Sequence, residues 1–293
     1  MYRRILLALD PEGHADAALP VVVALARRSL GQVVVLSVGE AETDLAPAAA
    51  GVVAGLESKG VLAHAEVVSR HANPVASAIV EAAHRLRPDL VALGSRGRGD
   101  LAGLLLGSVG HRVTARLDVP VLLVHDGDHG GRPEPIRRVL VAVDDSEEAM
   151  GAVFAAGGLA REHDAEVLVA HALHDDAVDW HGYPAAQDAA YARLDHARRQ
   201  LAAPGRPVES RLLTSSGSAA ARVASEADRW NADLIVVGSR RLTDLGGLVL
   251  GSFAHELVRR THRPVLLAGR CRTVRRPARA PRLLTPGRRE EVR

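Results

Sequence analysis

The two halves of this chain are copies of one another. Arg4-Ile5-Leu6-Leu7-Ala8-Leu9-Asp10 returns as Arg138-Val139-Leu140-Val141-Ala142-Val143-Asp144, an offset of 134 residues. Pro88-Asp89-Leu90-Val91-Ala92-Leu93-Gly94-Ser95-Arg96 returns at Ala232 to Arg240, an offset of 144. The stretches Asp100 to Ser108 and Pro120 to Leu123 return at Asp244 to Ser252 and Pro264 to Leu267. The order is the same in both halves, so the chain is two homologous domains rather than one. The second copy carries a net ten extra residues, placed near His174–Asp188, which has no counterpart in the first. The boundaries that follow are domain 1 at 1–125, a Gly- and Pro-rich linker at 126–136, domain 2 at 137–269 and a tail at 270–293.

Each half alternates short apolar runs with helical patterns. Ile5–Leu9, Val33–Val38, Ala63–Ser69, Leu90–Leu93 and Val119–Val124 read as buried strands. Between them, helices are predicted over Asp16–Arg28 (regular only from near Pro20), Ala48–Lys59, a segment opened by Pro74, and Ser108–Leu117. Continuous apolar strands alternating with helices indicate a parallel sheet covered on both faces. The fold class is therefore α/β, as two doubly wound five-stranded parallel-sheet domains.

Composition narrows the function classes. Hydrophobic residues make up 47% of the 293 residues, enough for a sizeable core. Nine arginines against two glutamates from Arg270 to Arg293 give the tail +7, which leaves about −5 on the body, since the whole chain is +2. The basic character therefore sits in the tail, which reads as disordered, and the body is not a nucleic-acid binder. With seven aromatic residues in all, the chain lacks stacking platforms for single strands. Cys271 is the lone cysteine, so no disulfide framework or cysteine zinc site is expected. No apolar run is long enough to span a membrane, and a cytoplasmic protein is the expectation. His125, Asp126, Asp128 and His129 in the linker, and His171, His174, Asp175 and Asp176 after the second strand of the second half, read as solvated loops rather than metal sites. Trp180 and Tyr183 read as packing the inserted segment onto the body.

The candidate site lies where strand four ends. Gly94-Ser95-Arg96-Gly97 is followed by Gly107-Ser108 immediately before a helix. Glycines there admit close backbone approach to a ligand, and the free N–H groups of a helix start suit a phosphate. Asp10 closes the first strand, and in a doubly wound sheet it faces Gly94 across the switch-point crevice. No Ser–His, Cys–His or paired-carboxylate arrangement accompanies this site, so the chain does not read as an enzyme, although slow hydrolysis of a bound phosphate-bearing ligand stays open.

With these residues in place, the sequence resembles the universal stress protein family. The family signature Gly-x2-Gly-x9-Gly-Ser/Thr is met by Gly94, Gly97, Gly107 and Ser108, and the opening strand ends in Asp10 and again in Asp144. The resemblance covers nearly all of 3–125 and 137–268. It implies strand order 3-2-1-4-5 and, for the branch bearing the motif, binding of ATP, with or without Mg2+. Carried over by position, Ala8, Leu9 and Asp10 line the adenosine side, and Val38 meets adenine through its backbone. Leu93, Gly94, Arg96, Gly97, Gly107, Ser108, Val109 and Gly110 surround ribose and phosphates. The second half offers Ala142, Val143, Asp144, Ala172, Val237, Gly238, Arg240, Arg241, Gly251, Ser252, Phe253 and Ala254 in the same places. It departs at Arg241, which stands where Gly97 does: its side chain either narrows the loop or reaches the phosphates itself. The expected role is a nucleotide-dependent stress-response regulator. The alternatives are a nucleotide-activating enzyme of related architecture and a partner-interaction protein that binds no nucleotide. The last strands, Val119–Val124 and Pro264–Ala268, are apolar edges, so the halves are expected to pair edge to edge as a pseudo-dimer, with a homodimer of the whole chain also open.

Overall fold

The computed structural model describes residues 1–9, 17–40, 42–69, 74–95, 108–125, 135–174, 184–203, 206–215, 217–239 and 251–269. In chain order the first half holds β1 (Arg4–Leu9), α1 (Leu19–Ser29), β2 (Gln32–Gly39), α2 (Glu42–Glu57), β3 (Leu62–Ser69), α3 (Val75–Leu86), β4 (Leu90–Ser95), α4 (Ser108–Arg116) and β5 (Val121–His125). The second half repeats this as β6 (Arg138–Ala142), α5 (Glu147–His163), β7 (Glu166–His174), α6 (Pro184–Leu201), β8 (Val208–Ser215), α7 (Ala219–Arg229), β9 (Leu234–Gly238), α8 (Ser252–Arg260) and β10 (Val265–Ala268).

The strand order is β3-β2-β1-β4-β5-β10-β9-β6-β7-β8, so each half has the order 3-2-1-4-5. Pairing is parallel within each half and antiparallel where β5 meets β10, with Leu122 opposite Leu266. The edge pairing expected of the two last strands is this seam. Among the described residues one ten-stranded sheet results, with four helices on each face.

Alternation along the strands divides the core. Ile5, Leu7 and Leu9 join one cluster with residues of α1, α2, α5 and α6. Leu6 and Ala8 join the other, with residues of α3, α4, α7 and α8. Both clusters run through both halves, because Leu122 and Leu266 lie in the first, and Leu123 and Val265 in the second. The interior strands such as β1, β2 and β6 read as continuous apolar runs because they bury both of their faces, whereas the edge strand β3 is largely exposed.

Several repeated residues serve the fold alone. Asp89 Oδ2 accepts the backbone N–H groups of Arg3 and Arg4 at 2.9 and 3.0 Å, and Asp233 Oδ2 does the same for Arg137 and Arg138 at 2.8 and 2.9 Å. The guanidinium of Arg4 donates to the carbonyl of Leu86, and that of Arg138 to the carbonyl of Trp230. The Asp before strand four and the Arg opening strand one thus tie adjacent strands together at the end opposite the crevice. Several boundaries differ from the sequence expectation, among them the end of β5, where His125 is strand paired with Ser95 rather than linker. Helix α2 starts at Glu42 and runs through Pro47, ahead of the expected start at Ala48. The segment around His171 is strand rather than loop, because β7 is a central strand that extends to His174 alongside β8.

His163, near the C-terminal end of α5, is 3% exposed, and neither ring nitrogen has a hydrogen-bond partner among the described residues. Burial first, then Arg28 and the terminal amino group of Met1, lower its pKa from the ordinary 6.5 to about 4. The unfolded chain therefore takes up a proton near pH 6.5 that the folded chain refuses until about pH 4. Stability is expected to fall as pH drops through that window and to level off below it, by at most about 3 kcal/mol. Urea melts at stepped pH check this, and His163→Leu should flatten the profile. A second expectation comes from the seam. Halves 1–125 and 135–269, expressed apart and mixed, should associate in analytical ultracentrifugation. Well-folded halves without mutual affinity would mean that the seam contributes little.

Candidate functional site

The crevice lies at the carboxyl ends of β1 and β4 in the first half and of β6 and β9 in the second, where neighbouring strands lead to connections on opposite sides. In the first half, Ala8 pairs in register with Leu93, and Leu9 with Ser37. Val38 is one residue further along β2. Ala8, Leu9, Val38 and Leu93 are all buried, at 7, 6, 1 and 6% exposure, so their side chains belong to the core and backbone is what they present to the crevice. Gly94 follows in β4, opposite Val124 of β5. Ser108 is the first residue of α4, with Val109 and Gly110 half-buried in its first turn. Asp10, Arg96, Gly97 and Gly107 lie outside the described residues, as do Arg240 and Arg241 in the second half.

The second half is described further. Ala142 pairs with Val237 as Ala8 does with Leu93. Val143 is buried and its N–H donates to the Ala170 carbonyl at 2.9 Å, which places Ala172 level with Asp144. Asp144 is exposed at the crevice mouth. Its Oδ1 accepts the Ser146 N–H at 2.9 Å and also the Ser146 hydroxyl, a local turn that leads the chain into α5.

Two helices begin at this mouth, and they differ electrostatically. Helix α5 is capped by Ser146, whose hydroxyl accepts from the Ala149 N–H, and carries Glu147 and Glu148 in its first turn. Those acids already neutralise the positive end of its dipole. Helix α8 connects the parallel strands β9 and β10, so it too starts at the carboxyl ends. Its N-cap is Gly251, which supplies no side-chain bond, and its first turn holds no acid. Ser252, Phe253 and Ala254 occupy that first turn, with Ser252 exposed and Ala254 buried in the core. An anion entering the crevice is therefore drawn to α8, not α5. By position, α4 is the equivalent helix of the first half.

One glycine has a reason other than the one the motif suggests. A Cβ on Gly238 would come within 2.6 Å of the Glu148 carbonyl carbon and 2.9 Å of the Ala149 nitrogen. The space beside Gly238 is thus taken by the first turn of α5, not by ligand. Ser239, the next residue, is buried and donates its N–H to the Ala268 carbonyl at 2.9 Å, holding β9 to β10.

His171 belongs to the site although its residue type pointed elsewhere. It is 6% exposed in β7, and its Nδ1–H donates to the Val143 carbonyl at 2.7 Å. That bond holds the end of β6 against β7 beside Asp144. The counterpart in the first half is Ser37, also buried. A polar residue at the same place in two otherwise apolar strands was the signal available in the sequence. Among the described residues no group of three or more His, Cys, Asp or Glu side chains could hold a metal. The linker residues Asp126, Asp128 and His129, and Asp175, Asp176, Trp180 and Tyr183, lie outside the described residues, as does the tail from Arg270 onward. Among the described residues no helix is long and apolar enough to cross a membrane.

Gly238→Ala is expected to lower stability by about 1–3 kcal/mol, because the methyl meets rigid backbone. Thermal melts check this, and the loss should be the same with and without added nucleotide.

The model of the universal stress protein family matches residues 1–125 and again 135–269. A universal stress protein of Mycobacterium tuberculosis is 33% identical over 186 residues, covering 61% of this chain and 61% of that protein. The chain thus aligns with about three-fifths of the length of that curated relative. A universal stress protein of Thermus aquaticus is 36% identical over 135 residues, covering 45% of this chain and 97% of that protein. Among solved structures, a universal stress protein from Archaeoglobus fulgidus superposes with a TM-score of 0.69 at 21% identity, covering 92% of this chain and 100% of that one. That likeness is one of fold. With its family matched twice, over each of the two halves that the sheet joins, the chain belongs to the universal stress protein family as a tandem member.

Proposed function

We propose that the chain binds ATP, with or without Mg2+, in the crevice of one or both halves, and acts in the cytoplasm as a nucleotide-dependent stress-response regulator rather than as an enzyme. The observation that carries this reading is the contrast at the crevice mouth. Helix α8 offers an N-terminus without a side-chain cap or acid, while its neighbour α5 has both. Phosphates would take the backbone N–H groups at the start of α8, and of α4 in the first half. The nucleoside would lie along the strand ends, against the backbone of Ala8, Leu9 and Val38, or of Ala142, Val143 and Ala172. The low aromatic content suits a base held between aliphatic side chains and main chain. The signature residues Gly94, Gly97, Gly107 and Ser108 support the assignment for the first half. The sequence nominates no base that would position water, which supports nucleotide as ligand rather than substrate.

The halves should bind unequally, with the first tighter, because Gly97 and Arg241 hold equivalent positions. Isothermal calorimetry with ATP on the full chain is the test, together with mass spectrometry of nucleotide released from gently purified protein. Gly107→Ala should weaken the first site about ten- to a hundredfold, the worth of one charge-assisted hydrogen bond. Arg241→Gly decides the second site: tighter binding means the arginine obstructs, and weaker binding means it supplies its own contact. Absence of any ATP binding, or two identical sites indifferent to both variants, would overturn the proposal.

A further inference from the structure

At the seam, one contact joins residues that the repeat makes equivalent. His111 of α4 and His255 of α8 meet edge to face, with ring centroids 6.1 Å apart and planes at 88°. They are separated by 144 residues, the same offset as the phosphate-site signature, so the pseudo-twofold relating the halves passes between them. Each histidine stands three residues into its helix, after Ser108 and Ser252. That is less than one turn, a rise of about 4.5 Å. Each ring is therefore carried within about one turn of the helix start at which phosphate would be received.

The geometry points to His111 and His255 as a coupling element between the two nucleotide sites, so that nucleotide at the start of α4 is felt at α8, and the reverse. This inference rests on the proposed nucleotide site. Its physical basis is the orientation of the pair. An edge-to-face contact holds at a narrow set of ring angles, and an anion arriving within a turn of either ring rotates or repositions that ring. The helices beneath share one core. Val113 of α4 and Leu117 directly after it, and Leu257 and Val258 of α8, are buried in a single core cluster that spans both halves. Burial, then Arg259 and His111, lower the pKa of His255 against the opposing pull of Glu256, so the ring stays neutral and keeps its preference for the edge-to-face pose at neutral pH.

The test uses the full chain with 13C-labelled histidine, the His111 and His255 ring signals being assigned through His111→Gln and His255→Gln. ATP is added to Gly251→Asp, a variant whose new carboxylate repels phosphate from α8 while serving as a good N-cap. The His255 signal is expected to shift as ATP fills the first half, and the further substitution His111→Gln should abolish that shift. In calorimetry, His255→Gln should change ATP affinity of the first half by about two- to tenfold, the equivalent of one aromatic pair. If ATP binds and moves the His111 signal but leaves His255 in place, the coupling is overturned and the nucleotide site stands. If calorimetry detects no ATP at either half, both fall together.

Discussion

The antiparallel pairing of β5 with β10 is the contact on which the rest of the arrangement depends. Each half alone ends in an apolar strand with an open row of backbone donors and acceptors, and such an edge recruits another strand. Here the recruited strand is its own copy, with Leu122 opposite Leu266 and Val265 opposite Leu123. Two consequences follow. The two hydrophobic clusters become continuous across the halves. The helices that pack on the last strands come close enough for His111 to touch His255. The open edges that remain, β3 and β8, carry His64, Glu66, Glu209 and Arg211, and charge at an edge discourages further pairing.

Within the crevice, polarity is set by how helix starts are finished. Helix dipoles point the same way at α5 and α8, and what distinguishes them is local chemistry. Ser146, Glu147 and Glu148 satisfy and neutralise one start. Gly251 supplies no side-chain cap to the other, and no acid stands in its first turn. The buried side chains around them supply shape rather than contact, since Ala142, Val143 and Val237 all face into the core. A site of this kind recognises a ligand through main chain, which explains how it is built from alanine, valine, leucine and glycine.

Repetition in a sequence mixes functional and structural causes, and the structure separates them. Asp89 and Asp233 recur because each accepts two backbone N–H groups at the start of strand one. Gly238 recurs with Gly94, yet in the second half its missing side chain makes room for α5. Gly251 and Ser252 recur with Gly107 and Ser108 at the start of a helix left open to an anion. Repeated geometry also persists where the residues change. The left-handed helix ends at Leu30 and Arg87 return at Asp164 and Asn231 with φ between 47 and 55°.

The alternation of apolar runs with helical patterns, and the offset between the halves, determined the domain count, the parallel sheet and the candidate crevice, because burial on both faces writes itself into consecutive residues. Strand identity and the place of Ala8, Leu93, Ala142 and Val237 at the switch point were legible for that reason. His171 was not, because a histidine after a strand and a histidine inside one have the same residue type; the hydrogen bond to Val143 distinguishes them. The reason for Gly238 was equally hidden, since a glycine records that space is needed and not what fills it. Above all, the contact between His111 and His255 joins positions 144 residues apart across an interface. Local pattern specifies each half, but which atoms meet between halves is decided only when both sheets pair and their cores close together.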